Sequence, residues 1–290
     1  MSKLHADYYA DQMVQVTTEL AQNDLIAEST YRLRLAAPEI ASRVVPGQFV
    51  MIRLAGTDQP LIGRALAVWE VIDGPDGEPH WIDLIYLKKG NFTKPCAESP
   101  LGTRVTVWGP LGNGFSAVEC DHLIMAVGGI GQTPMLLLGR EAKGDQSFDR
   151  PNGWANNVEL IYGARRASLH AGVPDFESAG FKIQLCTDDG SAGEKALVPD
   201  VVARRLDELA ATGASIRVVT CGPEIMMEKI AEICGQRGVA CQVSMETPMA
   251  CGIGICFSCV AKVRQDDGEW DYKRTCVEGP IFDAEKIVFS

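Results

Sequence analysis

Four cysteines near the end of the chain constrain its fold more than any other feature. In the stretch SMETPMACGIGICFSC, residues 244–259, Cys251, Cys256 and Cys259 read C-x4-C-x2-C, and Cys276 follows. Four thiolates at this plant-type ferredoxin spacing can hold two bridged irons, with nearby backbone N–H groups turned toward the sulfurs to moderate their charge. Gly252 and Gly254 suit such a loop, because without Cβ atoms they reach φ values that other residues resist. Two other readings stand beside a [2Fe-2S] cluster: a structural zinc, whose ligands come in closely spaced pairs, and ordinary buried thiols. Cys251, placed ahead of the Cys256/Cys259 pair in a loop with two glycines, favours the cluster.

The rest of the chain is that of a globular protein. Of its 290 residues 46% are hydrophobic and 22% charged, and no apolar run reaches the ~18 residues of a membrane span. The first residues, MSKLHADYYADQ, lack the apolar core of a signal peptide, so the expectation is a reducing cytoplasm in which the ten cysteines are thiols or metal ligands. A net charge of −11 argues against a nucleic-acid partner, since phosphate binding needs clustered Lys and Arg.

The hydrophobic rhythm divides the chain into three parts. Short alternating segments (MVQVTTEL, TYRLRLAA, GQFVMIRLAG, RALAVWEVI, HWIDLIYL and TRVTVWG), separated by Gly and Pro turns, predict an antiparallel β-barrel over residues 1–117, preceded by a polar leader. From His122 apolar strands alternate with helical segments, which predicts an α/β parallel-sheet domain over 118–246. Its polar stretch 143–157 reads as an exposed loop. Residues 247–290 form a small C-terminal cysteine-bearing subdomain, for which a cluster would serve as the internal staple.

Individually the other motifs are weak. The turn Gly128-Gly129-Ile130-Gly131 follows a strand and opens a helix, so its backbone can admit a pyrophosphate at a helix N-terminus, or it is simply a packing turn. Cys221-Gly222-Pro223 repeats that geometry at another strand end, where ligands of open α/β sheets bind. Arg64 opens a barrel strand and can grip a diphosphate, although a lone Arg there is commonly a solvated charge. The turns 90–93 and 109–115 add glycines where a ligand can approach. Residues 188–191, Asp-Asp-Gly-Ser, read equally well as a local turn. No nucleophile and base pair up, so no catalytic residue is assigned and the chain points to electron movement.

Taken in order, these parts resemble the electron-transfer subunits of NAD-dependent dihydroorotate dehydrogenases, within the ferredoxin-NADP reductase superfamily. The resemblance runs from about Val14 onward and rests on SMETPMACGIGICFSC with CVEGP at 276–280, the GPLGNGF turn, YGAR, TDDGSAGEKA and CGPEIMM. It implies FAD in the barrel, NAD(H) on the α/β domain and a [2Fe-2S] cluster on Cys251, Cys256, Cys259 and Cys276. By that similarity Arg64, Ala65, Leu66 and Ala67 match the flavin motif Arg-Pro-x-Ser, and Ile85, Tyr86 and Leu87 line the flavin. Phe92 and Thr93 take the place of the Gly-Thr at its diphosphate. Gly128, Gly129 and Gly131 match the dinucleotide turn, with Cys221 and Gly222 near the nicotinamide. Ala65, Ala67 and Phe92 depart from the family pattern, which implies an altered flavin potential or weaker FAD binding.

The function so implied is a relay from NAD(H) through FAD and the cluster to a catalytic subunit that carries FMN and oxidises dihydroorotate in pyrimidine biosynthesis, in a heterotetramer of two subunit pairs. Two alternatives remain open: a flavin and iron-sulfur subunit of a ferredoxin:NADP or sulfur-reducing oxidoreductase, and a zinc-stapled or redox-sensing binding protein without flavin. The loop 252–257, with Ile253, Ile255 and Phe257, is either the electron exit against a partner or packing within its own subdomain.

Overall fold

The structure, a computed structural model, describes residues 12–56 and 60–289, so the polar leader lies almost wholly outside the described residues. The chain gathers into two units. One joins the residues up to Gly114 with Met245–Ala261 and Tyr272–Ile281; the other comprises Phe115–Ser244, Lys262–Asp271 and the residues from Phe282 on.

The first unit is built on the expected antiparallel barrel. Its strands are β1 (Val14–Ala27), β2 (Thr30–Ala36), β3 (Phe49–Leu54), β4 (Arg64–Asp73), β5 (Pro79–Leu87) and β6 (Arg104–Leu111), closed in the order β1-β2-β5-β4-β3-β6. Closure leaves no free edge to solvent. Alternation places Leu33, Leu35, Ile52, Trp69, Leu84 and Val107 inside. Two short helices missing from the sequence reading, α1 (Pro38–Ala41) and α2 (Thr93–Glu98), lie between β2 and β3 and between β5 and β6. A fully buried carboxylate, Asp83, is held by the Arg34 guanidinium at 2.7 and 2.8 Å, the pairing that makes such burial tolerable.

The cysteine segment does not have a core of its own. Cys259, Cys276 and Val277 pack with Phe49, Met51 and Leu111 of the barrel, and Ala65, Trp108 and Ile253 lie against the same group. Barrel strands therefore supply the hydrophobic floor that so short a segment cannot build alone.

The second unit carries β7 (Cys120–Gly128), α3 (Met135–Lys143), β8 (Ala155–Ala164), α4 (Val173–Ser178), β9 (Lys182–Thr187), β10 (Glu194–Lys195), α5 (Val198–Ala210), β11 (Ile216–Cys221), α6 (Glu224–Gln236) and β12 (Ala240–Ser244). The hairpin strands β13 (Val260–Arg264) and β14 (Trp270–Arg274) pair with each other, and β15 (Ile281–Asp283) ends the large sheet, whose order is β10-β9-β8-β7-β11-β12-β15. From β10 through β12 neighbouring strands are parallel, as expected. Strand order reverses between β7 and β11, the switch point where open α/β sheets bind ligands at strand carboxyl ends. Helix α5 buries Val198, Val201, Val202, Leu206 and Leu209 along one stripe. Among the described residues no helix is long and apolar enough to cross a membrane.

The stretch 143–157 is largely exposed, as expected, but it is anchored at a few points. Phe148 and Trp154 are buried, and Arg150 holds the buried Glu141 carboxylate at 2.5 and 2.7 Å while donating to the Phe115 carbonyl. A carboxylate on α3 with no solvent access needs such a partner, and the loop folds down to provide it.

Candidate functional site

The cysteine loop has the geometry that the sequence implies. Gly252 and Gly254 have φ of +75° and +80°, and a Cβ on Gly252 would lie 2.6 Å from Met51, so the tight curl and close approach to the barrel both require glycine. The four thiols influence one another's titration, Cys256 chiefly with Cys251 and Cys259 chiefly with Cys276, and Cys276 also feels Cys251. Two pairs are what a two-iron cluster takes, one pair for each iron.

Donors surround the sulfurs. The Ile253 N–H is directed to the Cys251 Sγ at 3.4 Å, and the backbone N–H groups of Gly254, Ser258 and Cys276 reach the sulfurs of Cys276, Cys256 and Cys259. The Ser258 hydroxyl lies 3.2 Å from the Cys256 sulfur; with its own backbone N–H and Cys251 it brings that thiol down to about 6. Cys276 lowers the Cys259 thiol in the same way and is itself raised by it. Thiolate is the ligating form, so the donor set fits an anionic metal-sulfur group.

Three side chains hold this segment, and the sequence reading gave none of them that role. Trp108 donates Nε1–H to the Cys251 carbonyl at 3.2 Å. Arg274 donates to the Gly254 carbonyl at 3.0 Å, and its guanidinium lies 4.9 Å from the centre of the Phe257 ring. Asn113, in the GPLGNGF turn, binds both backbone groups of Ile281. Asn113 lies in a motif that was noticed, and Arg274 stands two residues before Cys276. Trp108 gave no sequence signal. Of the apolar loop residues, Ile253 packs on the barrel core, whereas Ile255 and Phe257 are 67% and 63% exposed. The packing reading therefore holds for Ile253, while Ile255 and Phe257 remain solvent-facing.

The residues matched to the flavin motif open β4, beside β5, where Val68 stands opposite Leu84. Ala65, Leu66 and Ala67 are half-buried, and the Arg64 guanidinium rests on the Ile62 and Gly63 carbonyls at 3.2 Å each. On β5, Ile85 and Tyr86 are buried and Leu87 half-buried; the Tyr86 hydroxyl donates to Asn23 at 2.8 Å, and burial raises its pKa. Phe92 is fully buried at the start of α2, so its ring is packed in the core. The Thr93 hydroxyl accepts the Lys89 and Gly90 N–H groups at 2.9 and 3.0 Å, which shapes the turn 88–93.

At the switch point the two glycine turns meet. A Cβ on Gly131 would fall 2.3 Å from the Cys221 carbonyl oxygen, and one on Gly222 would fall 3.0 Å from the backbone of Gly128. Close packing thus accounts for Gly128, Gly131 and Gly222. Gly129 differs: its φ is +56° and a Cβ there would meet only open space. Gln132, next in the turn, is fully buried with neither amide atom hydrogen-bonded.

Barrel, parallel sheet and cysteine loop together define a reductase of the ferredoxin-NADP reductase architecture with an iron-sulfur segment. A solved NADH-dependent reduced ferredoxin-NADP oxidoreductase superimposes with a TM-score of 0.77 at 25% identity, over 94% of this chain and 90% of that one. Phthalate dioxygenase reductase shares the fold, with a TM-score of 0.57 at 16% identity, over 91% of this chain and 94% of that one. Residues 246–288 match the iron-sulfur cluster binding domain of dihydroorotate dehydrogenase B. The electron transfer subunit of dihydroorotate dehydrogenase B (NAD+) from Desulforamulus reducens is 32% identical over 91% of this chain and 95% of its own length. That from Caldanaerobacter subterraneus is 34% identical over 84% and 87%. The chain belongs to this family, the electron transfer subunits of NAD+-dependent dihydroorotate dehydrogenase B.

Proposed function

We propose that this chain carries electrons between NAD(H) and an FMN-containing dihydroorotate dehydrogenase subunit, by way of FAD and a [2Fe-2S] cluster, in pyrimidine biosynthesis. The observation that carries the reading is that Cys251, Cys256, Cys259 and Cys276 all fall within the segment 246–288 that matches the iron-sulfur cluster binding domain, with the Ile253 N–H turned to the Cys251 sulfur. Bound FAD would supply hydride exchange with the nicotinamide and one-electron release, and a bound cluster would supply one-electron transfer.

The chain's own residues bind and orient. Arg64 would leave the carbonyls it rests on to grip the flavin diphosphate, and the turn at Phe92 and Thr93 would also help hold that group. Ala65, Leu66, Ala67, Ile85, Tyr86 and Leu87 would frame the ring. Ala67 lacks the hydroxyl that the family places near the flavin's reactive edge, so flavin reduction would be altered more than flavin affinity. Gly128, Gly129, Gly131, Cys221 and Gly222 would receive the dinucleotide, with Gly129 opening onto free space. The exposed side chains of Ile255 and Phe257 give the partner an apolar contact beside the cluster. Two such pairs would assemble as a heterotetramer in the cytoplasm.

Co-purification with the FMN subunit, followed by an assay of NAD-linked dihydroorotate oxidation with and without this chain, tests the proposal. A rate that depends on the chain supports it; an unchanged rate removes it. The likeness to a ferredoxin-NADP oxidoreductase favours a second reading, in which the acceptor is a ferredoxin, and the same protein assayed with ferredoxin distinguishes the two.

A further inference from the structure

Two of the side chains that hold the cysteine loop act on peptide carbonyls of the same curl. Trp108 takes the Cys251 carbonyl at 3.2 Å and Arg274 takes the Gly254 carbonyl at 3.0 Å. Both peptides are trans. In a planar trans peptide the C=O and N–H point in opposite directions, so the Gly252 and Ile255 N–H groups are turned away from Trp108 and Arg274. Between these two peptides, the Ile253 N–H is aimed at the Cys251 sulfur and the Gly254 N–H at the Cys276 sulfur.

Both clamps are themselves fixed. Trp108 packs on the core shared by Phe49, Met51 and the cysteines, and its ring sits so close to Gly63 that a Cβ there would lie 2.6 Å away. Arg274 is braced by Glu278 at 3.3 Å and by the Phe257 ring, whose residue has a φ of +54°, a conformation unusual for a bulky side chain. A side chain held in that region at an exposed loop tip implies that its surroundings fix it.

We propose that Trp108 and Arg274 are positioning residues that set the reduction potential of the iron-sulfur cluster, by holding the Cys251 and Gly254 carbonyls so that the intervening N–H groups face the cysteine sulfurs. The proposal rests on Cys251, Cys256, Cys259 and Cys276 being the ligands. Adding one electron makes the sulfurs more negative, and oriented N–H donors stabilise that state more than the oxidised one. Weakening their orientation therefore lowers the potential. Trp108 is neutral and acts through geometry alone, whereas Arg274 adds its charge.

The test compares full-length wild type with Trp108→Phe and Arg274→Lys, all purified without air. Iron and acid-labile sulfide per chain are measured, then the one-electron midpoint by mediated titration with dithionite, then the couplings of exchangeable protons to the reduced cluster in 2H2O. Phe keeps the packing and loses the donor; Lys keeps the charge and loses the planar fork. Both variants are expected to retain the cluster, with the reduced-to-oxidised ratio at the wild-type midpoint lowered about two- to tenfold, the worth of one hydrogen bond. The exchangeable-proton couplings change with it. Unchanged midpoints and couplings in cluster-bearing variants overturn the proposal. Should Trp108→Phe fail to assemble, Arg274→Lys decides by the same readout, and loss of the cluster from both variants while the fold persists also counts against tuning. Wild type without iron and sulfide instead overturns the ligand assignment.

Discussion

The Asn113 carboxamide pairs with both backbone groups of Ile281, donating to its carbonyl at 2.8 Å and accepting its N–H at 2.9 Å. The Asn113 N–H also binds the Gly279 carbonyl at 2.7 Å, and Gly112 lies so close that a Cβ would fall 2.6 Å from Pro280. The GPLGNGF turn and the segment after Cys276, remote in sequence, are thus two halves of one joint that seats Cys276 on the barrel. Asn113→Ala removes one half and leaves Ile281 unpaired, at a cost of about 1–3 kcal/mol. Thermal melting of the air-free protein is expected to fall, with earlier loss of the iron-sulfur absorbance. Equal melting and equal retention would separate the joint from the cluster.

Arg64 rests its guanidinium on backbone acceptors, and in the proposed role a bound diphosphate would draw it away from them. Arg64→Ala is expected to weaken FAD binding by about 1.5–3 kcal/mol, the worth of a charge-assisted contact. Flavin fluorescence during rebinding measures this, and identical affinity would deny Arg64 the role.

Gly131 sits where no side chain fits. Gly131→Ala places a methyl 2.3 Å from the Cys221 carbonyl, so β11 and the turn after β7 must separate, at about 1–3 kcal/mol. The KM for NADH is expected to rise, while chemical reduction of the cluster by dithionite stays normal. An unchanged KM would leave this turn a packing element only.

Away from the site, burial works to raise the Glu159 pKa, but the Arg205 fork, His122 and Lys182 outweigh it and bring the carboxylate down to about 2. An unfolded Glu titrates near ~4.3. The folded value lies below the unfolded one, so the stabilisation is full above about pH 4.3 and is lost as pH falls to about 2. Urea midpoints of wild type and Glu159→Gln should therefore differ by a full, constant amount above about pH 5 and converge on acidification. A difference that persists unchanged on acidification would contradict the assignment.

Much of this was legible in the sequence for identifiable reasons. Barrel strands and sheet helices carry local periodicity, and C-x4-C-x2-C is a spacing fixed by the chemistry of its ligand. What was missed depends on partners distant in the chain. Nothing near Trp108 indicates that its indole meets the Cys251 carbonyl, and the polarity of 143–157 hides a loop that Arg150 ties to Glu141. The cysteine segment gave no sign that its floor would be Phe49, Met51 and Leu111, because that is a matter of packing. Phe92 departs from the family pattern in sequence, yet its ring is buried in the core.

The most direct test of the relay is to reduce the air-free protein with NADH and record both its metal content and its electron paramagnetic resonance. Near-equal iron and acid-labile sulfide, bleaching of a bound flavin, and the signal of a one-electron-reduced [2Fe-2S] cluster are predicted, with the signal abolished by Cys256→Ser. Zinc without sulfide, or a cluster that NADH does not reduce in FAD-loaded protein, would contradict the account.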